Sequence, residues 1–124
     1  MDVKKATQKM KKYGGTLVGS RALGTNRRKS DYDFVFTDKD KLAKAKKFLD
    51  KVSIERTDLK FAEYDARDFY GVSRSYDGVF SRTQYKVRVS VVFDVFYNKK
   101  IWSKKKQRKM HYKGQTKKES IVVK

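Results

Sequence analysis

One segment near the end of the chain is apolar on both sides of a β-strand. Residues 87–97 are rich in Val and Phe, which makes them the strongest strand prediction in the sequence. A strand with two apolar faces has to lie in the interior of a sheet that is covered on both sides. Asp94 is therefore predicted to be buried, where an ionised carboxylate is costly unless it is bound to a metal or paired with a basic residue. A structural salt bridge is the alternative to a metal.

Two further acids lie on a second predicted strand. Residues 31–37 alternate and are rich in aromatic residues. On a strand, Asp31 and Asp33 would share one face, about 7 Å apart, while the aromatic side chains take the other. Carboxylates on one face suit a hard divalent cation such as Mg²⁺. With Asp94 they predict a site for two metal ions; the alternative for the pair alone is a loop residue and a solvated strand edge.

A Gly-Ser pair follows a short apolar strand earlier in the chain. Residues 16–18 are predicted to be a buried strand, and Gly19-Ser20 leads directly into a helical turn at 21–23. In that position, backbone N–H groups and a hydroxyl can bind phosphate oxygens. A Gly-Ser pair alone is usually only a turn, but this one stands about ten residues before Asp31.

These elements together resemble the signature of the DNA polymerase β-like nucleotidyltransferase superfamily, and most of all its small "minimal" members. The family signature is an apolar strand, Gly-Ser or Gly-Gly, a spacer, an acid–apolar–acid strand, and a third acid on a later strand. The resemblance covers roughly residues 14–97. The matching residues are Gly19, Ser20, Asp31, Asp33 and Asp94.

The resemblance implies transfer of a nucleoside monophosphate from an NTP, such as ATP, to a hydroxyl acceptor, with release of pyrophosphate. Asp31 and Asp33 would bridge two Mg²⁺ ions, and Asp94 would bind the ion that activates the acceptor. The larger enzymes of the family carry a helical domain that grips the base, which this chain has no room for, and small members often work with a separate helical partner protein. The implied nucleotide-binding residues are Gly19, Ser20 and Arg21.

The remaining patterns predict an α+β fold with a mixed sheet and helices packed on one face. Residues 1–98 would form the nucleotidyltransferase-like domain, and residues 99–124 a basic helix and tail. Residues 53–69 show no firm period. The further predicted elements are helices at 2–13 and 40–52, strands at 71–76 and 79–85 around an Asp77-Gly78 turn, a basic helix at 99–112 and a short strand at 121–123.

The formal net charge of +19 is concentrated towards the two ends of the chain. Residues 99–118 contain ten Lys or Arg residues and no acidic residue. Such a segment attracts polyanions, which predicts contact with RNA or DNA; the alternative is a solubilising surface. The predicted nucleic-acid-binding residues are Lys104, Lys105, Lys106, Arg108 and Lys109.

Composition excludes several classes of metal site and a membrane span. Without cysteine there is no disulfide or thiolate metal site, and the single His111 cannot build a histidine zinc site. No apolar run reaches the length of a membrane span, and no apolar core follows the charged N-terminus, so we expect a soluble, cytoplasmic protein without a membrane partner. Two other functions stay open: a non-catalytic nucleic-acid-binding protein on the same fold, and an antitoxin-like partner protein.

Overall fold

A mixed sheet organises the part of the chain that the computed structural model describes, which is residues 2–62, 79–98, 101, 103–105 and 122–123. The strand order is β1-β2-β5-β4-β3-β6. β2 and β5 are parallel, and every other neighbouring pair is antiparallel. The elements are α1 (Val3–Lys12), β1 (Thr16–Val18), α2 (Ser20–Leu23), β2 (Tyr32–Phe36), α3 (Lys39–Val52), β3 (Glu55–Ala62), β4 (Val79–Arg88), β5 (Val91–Tyr97) and β6 (Val122–Val123).

Acidic caps begin the two long helices. The Asp2 carboxylate accepts a hydrogen bond from the Lys4 amide at 2.8 Å, ahead of α1. Asp38 does the same for α3 and accepts from the Asp40 amide at 2.8 Å. Each cap satisfies an amide that has no partner within the helix, and its negative charge is favourable at that end.

Gly15 lets the chain turn tightly between α1 and β1. A Cβ atom at this position would lie 2.6 Å from Cζ of Phe36 and 2.9 Å from the carbonyl oxygen of Met10. Only glycine fits so close an approach without displacing the strand or the helix. The close packing of α1 on the sheet therefore depends on this residue.

The main apolar core lies between one face of the sheet and the helices α1 and α3. Alternation along β2 and β5 points every second side chain to that face. Phe34 and Phe93 are fully buried there, with ring centroids 5.8 Å apart. The buried residues of this core are Ala6, Met10, Phe34, Phe36, Ala45, Leu49, Tyr85, Val87, Phe93 and Val95.

The structure confirms the α+β class and the mixed sheet. The helices predicted at 2–13 and 40–52 are α1 and α3, and the strand predicted at 16–18 is β1. The strand predicted at 31–37 is β2, with Asp31 just outside it.

The prediction of one continuous strand over residues 87–97 is wrong. Val87 and Arg88 end β4, Val89 and Ser90 form a turn, and β5 begins at Val91. Val89 is apolar but 81% exposed, so composition alone does not reveal the turn. The two strands on either side of it pair with each other.

Other predicted elements fall partly or wholly outside the described residues. The strand at 71–76 and its Asp77-Gly78 turn lie there, as does most of the basic helix at 99–112. The strand predicted at 79–85 is part of β4. The short strand predicted at 121–123 is confirmed as β6, which pairs with β3.

Candidate active site

Two acids from neighbouring strands lie side by side in the interior of the sheet. The parallel register of β2 and β5 pairs Asp33 with Asp94. Neighbouring strands are about 4.8 Å apart and paired residues point to the same side, so the two carboxylates share one face. Asp33 is 2% exposed and Asp94 is fully buried. Their face is opposite to that of Phe34 and Phe93 in the main core.

Asp31 joins this pair from just outside β2. It is half-buried, and burial and the neighbouring Asp94 carboxyl raise the pKa of Asp31 to about 7. The positive charges of Arg82 and Arg21 oppose that rise in the pKa. Burial and the charge of Asp94 also raise the pKa of Asp33 well above its usual range. The ionised carboxylates therefore destabilise one another.

Several oxygens of this acidic group accept no hydrogen bond. Oδ1 of Asp33 and both carboxylate oxygens of Asp94 are buried, and no hydrogen-bond donor reaches them within the described part of the chain. Buried polar atoms in proteins nearly always have a partner, because leaving them without one is costly. A cation would supply that partner and would reduce the repulsion among the acids.

The acidic group suits a cation that brings further ligands with it. Among the residues that the structure describes, no group of three or more Asp, Glu, His or Cys side chains is arranged as a ready metal-ligand set. Mg²⁺ is usually held by one or two carboxylates together with waters and substrate phosphates, and not by a complete protein cage. Asp33 and Asp94 fit that requirement, since they offer adjacent carboxylate oxygens that lack donors.

Arg82 belongs to the same group, although no sequence pattern singled it out. β4 pairs Gln84 with Asp94, and Arg82 lies two residues earlier on the same face of β4. Its Nη1 atom is 3.6 Å from Oδ2 of Asp94, and its side chain is 20% exposed. The only signal in the sequence is the alternation within the predicted strand 79–85, which is uninformative until the neighbouring strand is known.

Gly19 and Ser20 lie next to the acidic group. The antiparallel pairing of β1 with β2 places Val18 opposite Asp33, so the chain after Val18 runs towards the end of β2 where Asp31 lies. Gly19 has a φ of 74° and a ψ of −159°, a conformation that other residues rarely adopt. Its carbonyl accepts hydrogen bonds from the amides of Ala22 and Leu23, the last two residues of α2. The phosphate-binding role of the pair stays a prediction.

Arg21, predicted to contact the nucleotide, supports the loop between α2 and β2. Its Nε donates to the carbonyl of Ser30 at 3.0 Å, and its Nη2 donates to the carbonyl of Arg28 at 3.1 Å. The guanidinium carbon lies 3.8 Å from the centroid of the Tyr32 ring. Arg21 therefore fixes the segment that leads into Asp31, whatever else it binds.

The predicted nucleic-acid-binding residues are described only in part. Lys104 and Lys105 are exposed, as expected for residues that contact a polyanion. The other three predicted residues, Lys106, Arg108 and Lys109, lie outside the described residues. Contact with nucleic acid through this segment stays a prediction.

Comparisons with known proteins identify no relative of this chain. Neither a protein-family model, nor a curated protein, nor a solved structure matches the chain. Within the described ranges, no helix is long and apolar enough to cross a membrane.

Proposed function

We propose that this chain is a Mg²⁺-dependent nucleotidyltransferase, which transfers a nucleoside monophosphate from an NTP to a hydroxyl acceptor on a nucleic acid. The supporting observation is the side-by-side burial of Asp33 and Asp94, with Asp31 beside them; Oδ1 of Asp33 and both carboxylate oxygens of Asp94 lack donors. Such an arrangement is costly for folding alone, and groups with strongly perturbed pKa values cluster at functional sites.

The three acids and the Gly-Ser pair would divide the work of the site. Asp31, Asp33 and Asp94 would hold two Mg²⁺ ions. When bound, these ions would lower the pKa of the attacking hydroxyl and neutralise charge on the leaving phosphate. Gly19 has no side chain to obstruct the triphosphate, and the Ser20 hydroxyl would donate to one of its terminal oxygens.

The proposed reaction exchanges one phosphorus–oxygen bond for another. The acceptor oxygen forms a bond to the α-phosphorus of the NTP, and the bond between that phosphorus and the β-bridging oxygen breaks. Pyrophosphate leaves with the electron pair of the broken bond, and the hydroxyl proton passes to a base or to solvent. Positioning and electrostatic stabilisation by the site would supply most of the rate enhancement.

The charge of the chain supports a second candidate, a nucleic-acid-binding protein without catalysis. The +19 net charge favours polyanions whether or not nucleotide transfer occurs. The two candidates differ in what they do to an NTP. Only the enzyme consumes it and releases pyrophosphate.

The test is to incubate the protein separately with each α-labelled NTP, Mg²⁺ and a mixed RNA pool, and to follow both the label and the pyrophosphate. We expect label in the RNA and an equal amount of pyrophosphate. RNA binding without pyrophosphate release would support the non-catalytic candidate and contradict the enzyme. Label on a co-purifying protein would contradict a nucleic-acid acceptor.

Asp33→Asn supplies the matched variant for that test. Asn keeps the shape of the side chain but not its negative charge, so we expect a loss of activity on the order of a thousandfold. Asp40→Asn is the control, because Asp40 is an exposed acid in the first turn of α3. Equal activity of the two variants would show that Asp33 has no part in catalysis.

A further inference from the structure

We propose that Arg82 and a divalent cation compete for Asp94, so that Arg82 is a positioning residue that holds the acidic group until the cation arrives. The inference rests on the proposed metal-dependent function. It assigns a role to Arg82, which the family resemblance does not mention. The competition between Arg82 and the cation can be measured by cation binding alone, without nucleotide.

The position of Arg82 gives it access both to the acids and to solvent. Asp94 is fully buried, whereas the Arg82 side chain is 20% exposed. An arginine approaching from the neighbouring strand β4 therefore lies at the edge of the group, with its guanidinium directed at the most buried carboxylate. A side chain at such an edge can move outward without unfolding the sheet.

The ion pair has the geometry of a contact that can be exchanged. Its nitrogen–oxygen distance is 3.6 Å, while charge-assisted hydrogen bonds of this type are about 2.7–2.9 Å long. Both oxygens of Asp94 are still without a hydrogen bond. Arg82 thus contributes charge to Asp94 but does not use the lone pairs that a cation would bind.

The charge of Arg82 also acts on the rest of the acidic group. Its guanidinium lies on the face of the sheet that carries Asp33 and Asp94, so its positive charge attracts both carboxylates. Arg82 is therefore a counter-charge for the whole group. A divalent cation bound to the same carboxylates would take over that role and would repel the guanidinium.

A second arginine–aspartate pair on the other side of the sheet provides the contrast. Arg56 on β3 donates to both carboxylate oxygens of Asp50 on α3, at 2.9 and 3.2 Å. That pair is shorter, hydrogen-bonded and partly exposed, with side chains 39% and 42% exposed. It joins a helix to the sheet, and Arg56 also donates to Oδ1 of Asp58 at 3.4 Å, so hydrogen bonds from the guanidinium reach both of these carboxylates.

The released guanidinium would stay at the edge of the site. A planar guanidinium with several donors is well suited to phosphate oxygens, which the proposed substrate carries. The competition would therefore convert a structural counter-charge into a phosphate contact once the cation is in place. In the absence of the cation, Arg82 would stay on Asp94.

The experiment measures Mn²⁺ and Mg²⁺ affinity by titration calorimetry, without nucleotide, for wild type, Arg82→Gln, Arg82→Lys and Arg56→Gln. We expect Arg82→Gln to bind Mn²⁺ on the order of tenfold more tightly, because it removes a positive charge a few ångströms from the cation. Arg82→Lys should stay close to wild type, since it keeps the charge, and Arg56→Gln should have no effect.

The outcomes separate this inference from the proposed function. Unchanged Mn²⁺ affinity in Arg82→Gln, with clear binding to wild type, would overturn the role of Arg82 alone. No cation binding to wild type or to Arg82→Gln would contradict the metal-dependent function as well.

A measurement on the wild-type protein guards against a variant that does not fold. Phenylglyoxal modifies accessible arginines, and peptide mass spectrometry reports the rate at each one. We expect Mn²⁺ to accelerate modification of Arg82 several-fold and to leave Arg56 unchanged. Equal or slower modification of Arg82 with Mn²⁺ present would overturn the proposal.

Discussion

The same strands form the two faces of the sheet, but burial stabilises the side chains of one face and destabilises those of the other. On one face, Phe34 and Phe93 pack against the helices in the main core. On the other, Asp33 and Asp94 are buried one residue away from them along the chain. Burial of the aromatic rings removes apolar area from water and stabilises the fold, whereas burial of the carboxylates raises their free energy.

This difference indicates what each face is for. The apolar face needs nothing beyond the chain itself, because its side chains pack against each other. The acidic face carries oxygens without donors and neighbouring carboxyl groups, so a cation that bound there would stabilise the folded state. Natural proteins retain such costly arrangements mainly at functional sites.

The largest expected contrast is between substitutions at two consecutive residues of β2. Phe34→Ala should destabilise the protein by about 3–5 kcal/mol, because it leaves a cavity in the main core. Asp33→Asn should cause no loss of stability in the absence of divalent cations, since Asn keeps the shape of the side chain and removes a carboxyl group whose ionisation is opposed by burial and by Asp94. Urea unfolding in the presence of EDTA measures both.

Excess Mg²⁺ provides the internal control for this pair. It should stabilise wild type and Phe34→Ala by similar amounts and Asp33→Asn by less, because a ligand that binds the folded state raises its stability. If Asp33→Asn proved as destabilising as Phe34→Ala in EDTA, the carboxylate would be a structural element and the contrast between the faces would fail.

A smaller effect is expected from pH. Folding raises the pKa of Asp31 to about 7 and the pKa of Asp33 well above its usual range, so between about pH 4 and 7 the folded protein holds protons that the unfolded chain has lost. Stability in EDTA should therefore fall as the pH rises through this window, by at most about 1.4 kcal/mol per pH unit for each retained proton.

Asp33→Asn separates this effect from the titration of the other groups. Its melting temperature should fall less steeply than that of wild type between pH 5 and 8, because the folded variant no longer retains the proton of Asp33. Parallel curves for the two proteins would mean that Asp33 is not protonated in the folded state. The acidic face would then be less costly than we infer.

The sequence predicted the strands of the candidate site better than it predicted their neighbours. Alternation identified β2, and the apolar segment around Asp94 identified β5, because burial on one or both faces leaves a strong pattern. β3 was missed because most of its described side chains are polar. Its contacts include a hydrogen bond from Thr83 to Asp58 at 3.0 Å and the pair between Arg56 and Asp50.

The pairing of the strands explains why part of the site could not be predicted. The distance between Asp33 and Asp94 depends on a parallel register between segments far apart in the chain, and neither strand pattern encodes that register. Arg82 depends on a second register, between β4 and β5, and no spacing within one strand encodes a contact with another. The turn at Val89 and Ser90 lacks Gly, Asn, Asp and Pro, and Ser90 alone is too weak a turn signal to end the predicted strand.

The smallest expected effect tests whether nucleic acid approaches from the basic segment or binds basic surface in general. Deleting the whole segment would also remove β6, which pairs with β3, so substitution is the sharper choice. Lys104 and Lys105 are exposed, and their replacement by Gln should lower the salt dependence of single-stranded RNA binding. Loss of two phosphate contacts corresponds to a change of about 1.4 in the slope of log affinity against log salt.

The same charge change on a different surface is the control for that prediction. Lys44 and Lys47 are exposed on α3, the helix that covers the apolar face, and Lys→Gln at both also removes two positive charges. If nucleic acid is held near the end of β5, the α3 variant should keep the wild-type slope, because overall charge alone releases no counterions from specific phosphates. Equal slope changes in both variants would mean that the polyanion senses only the net charge of the molecule. In that case the basic segment would not direct an acceptor towards the acids. The acidic face and the apolar face of the sheet would then differ in their side chains but not in their attraction for nucleic acid.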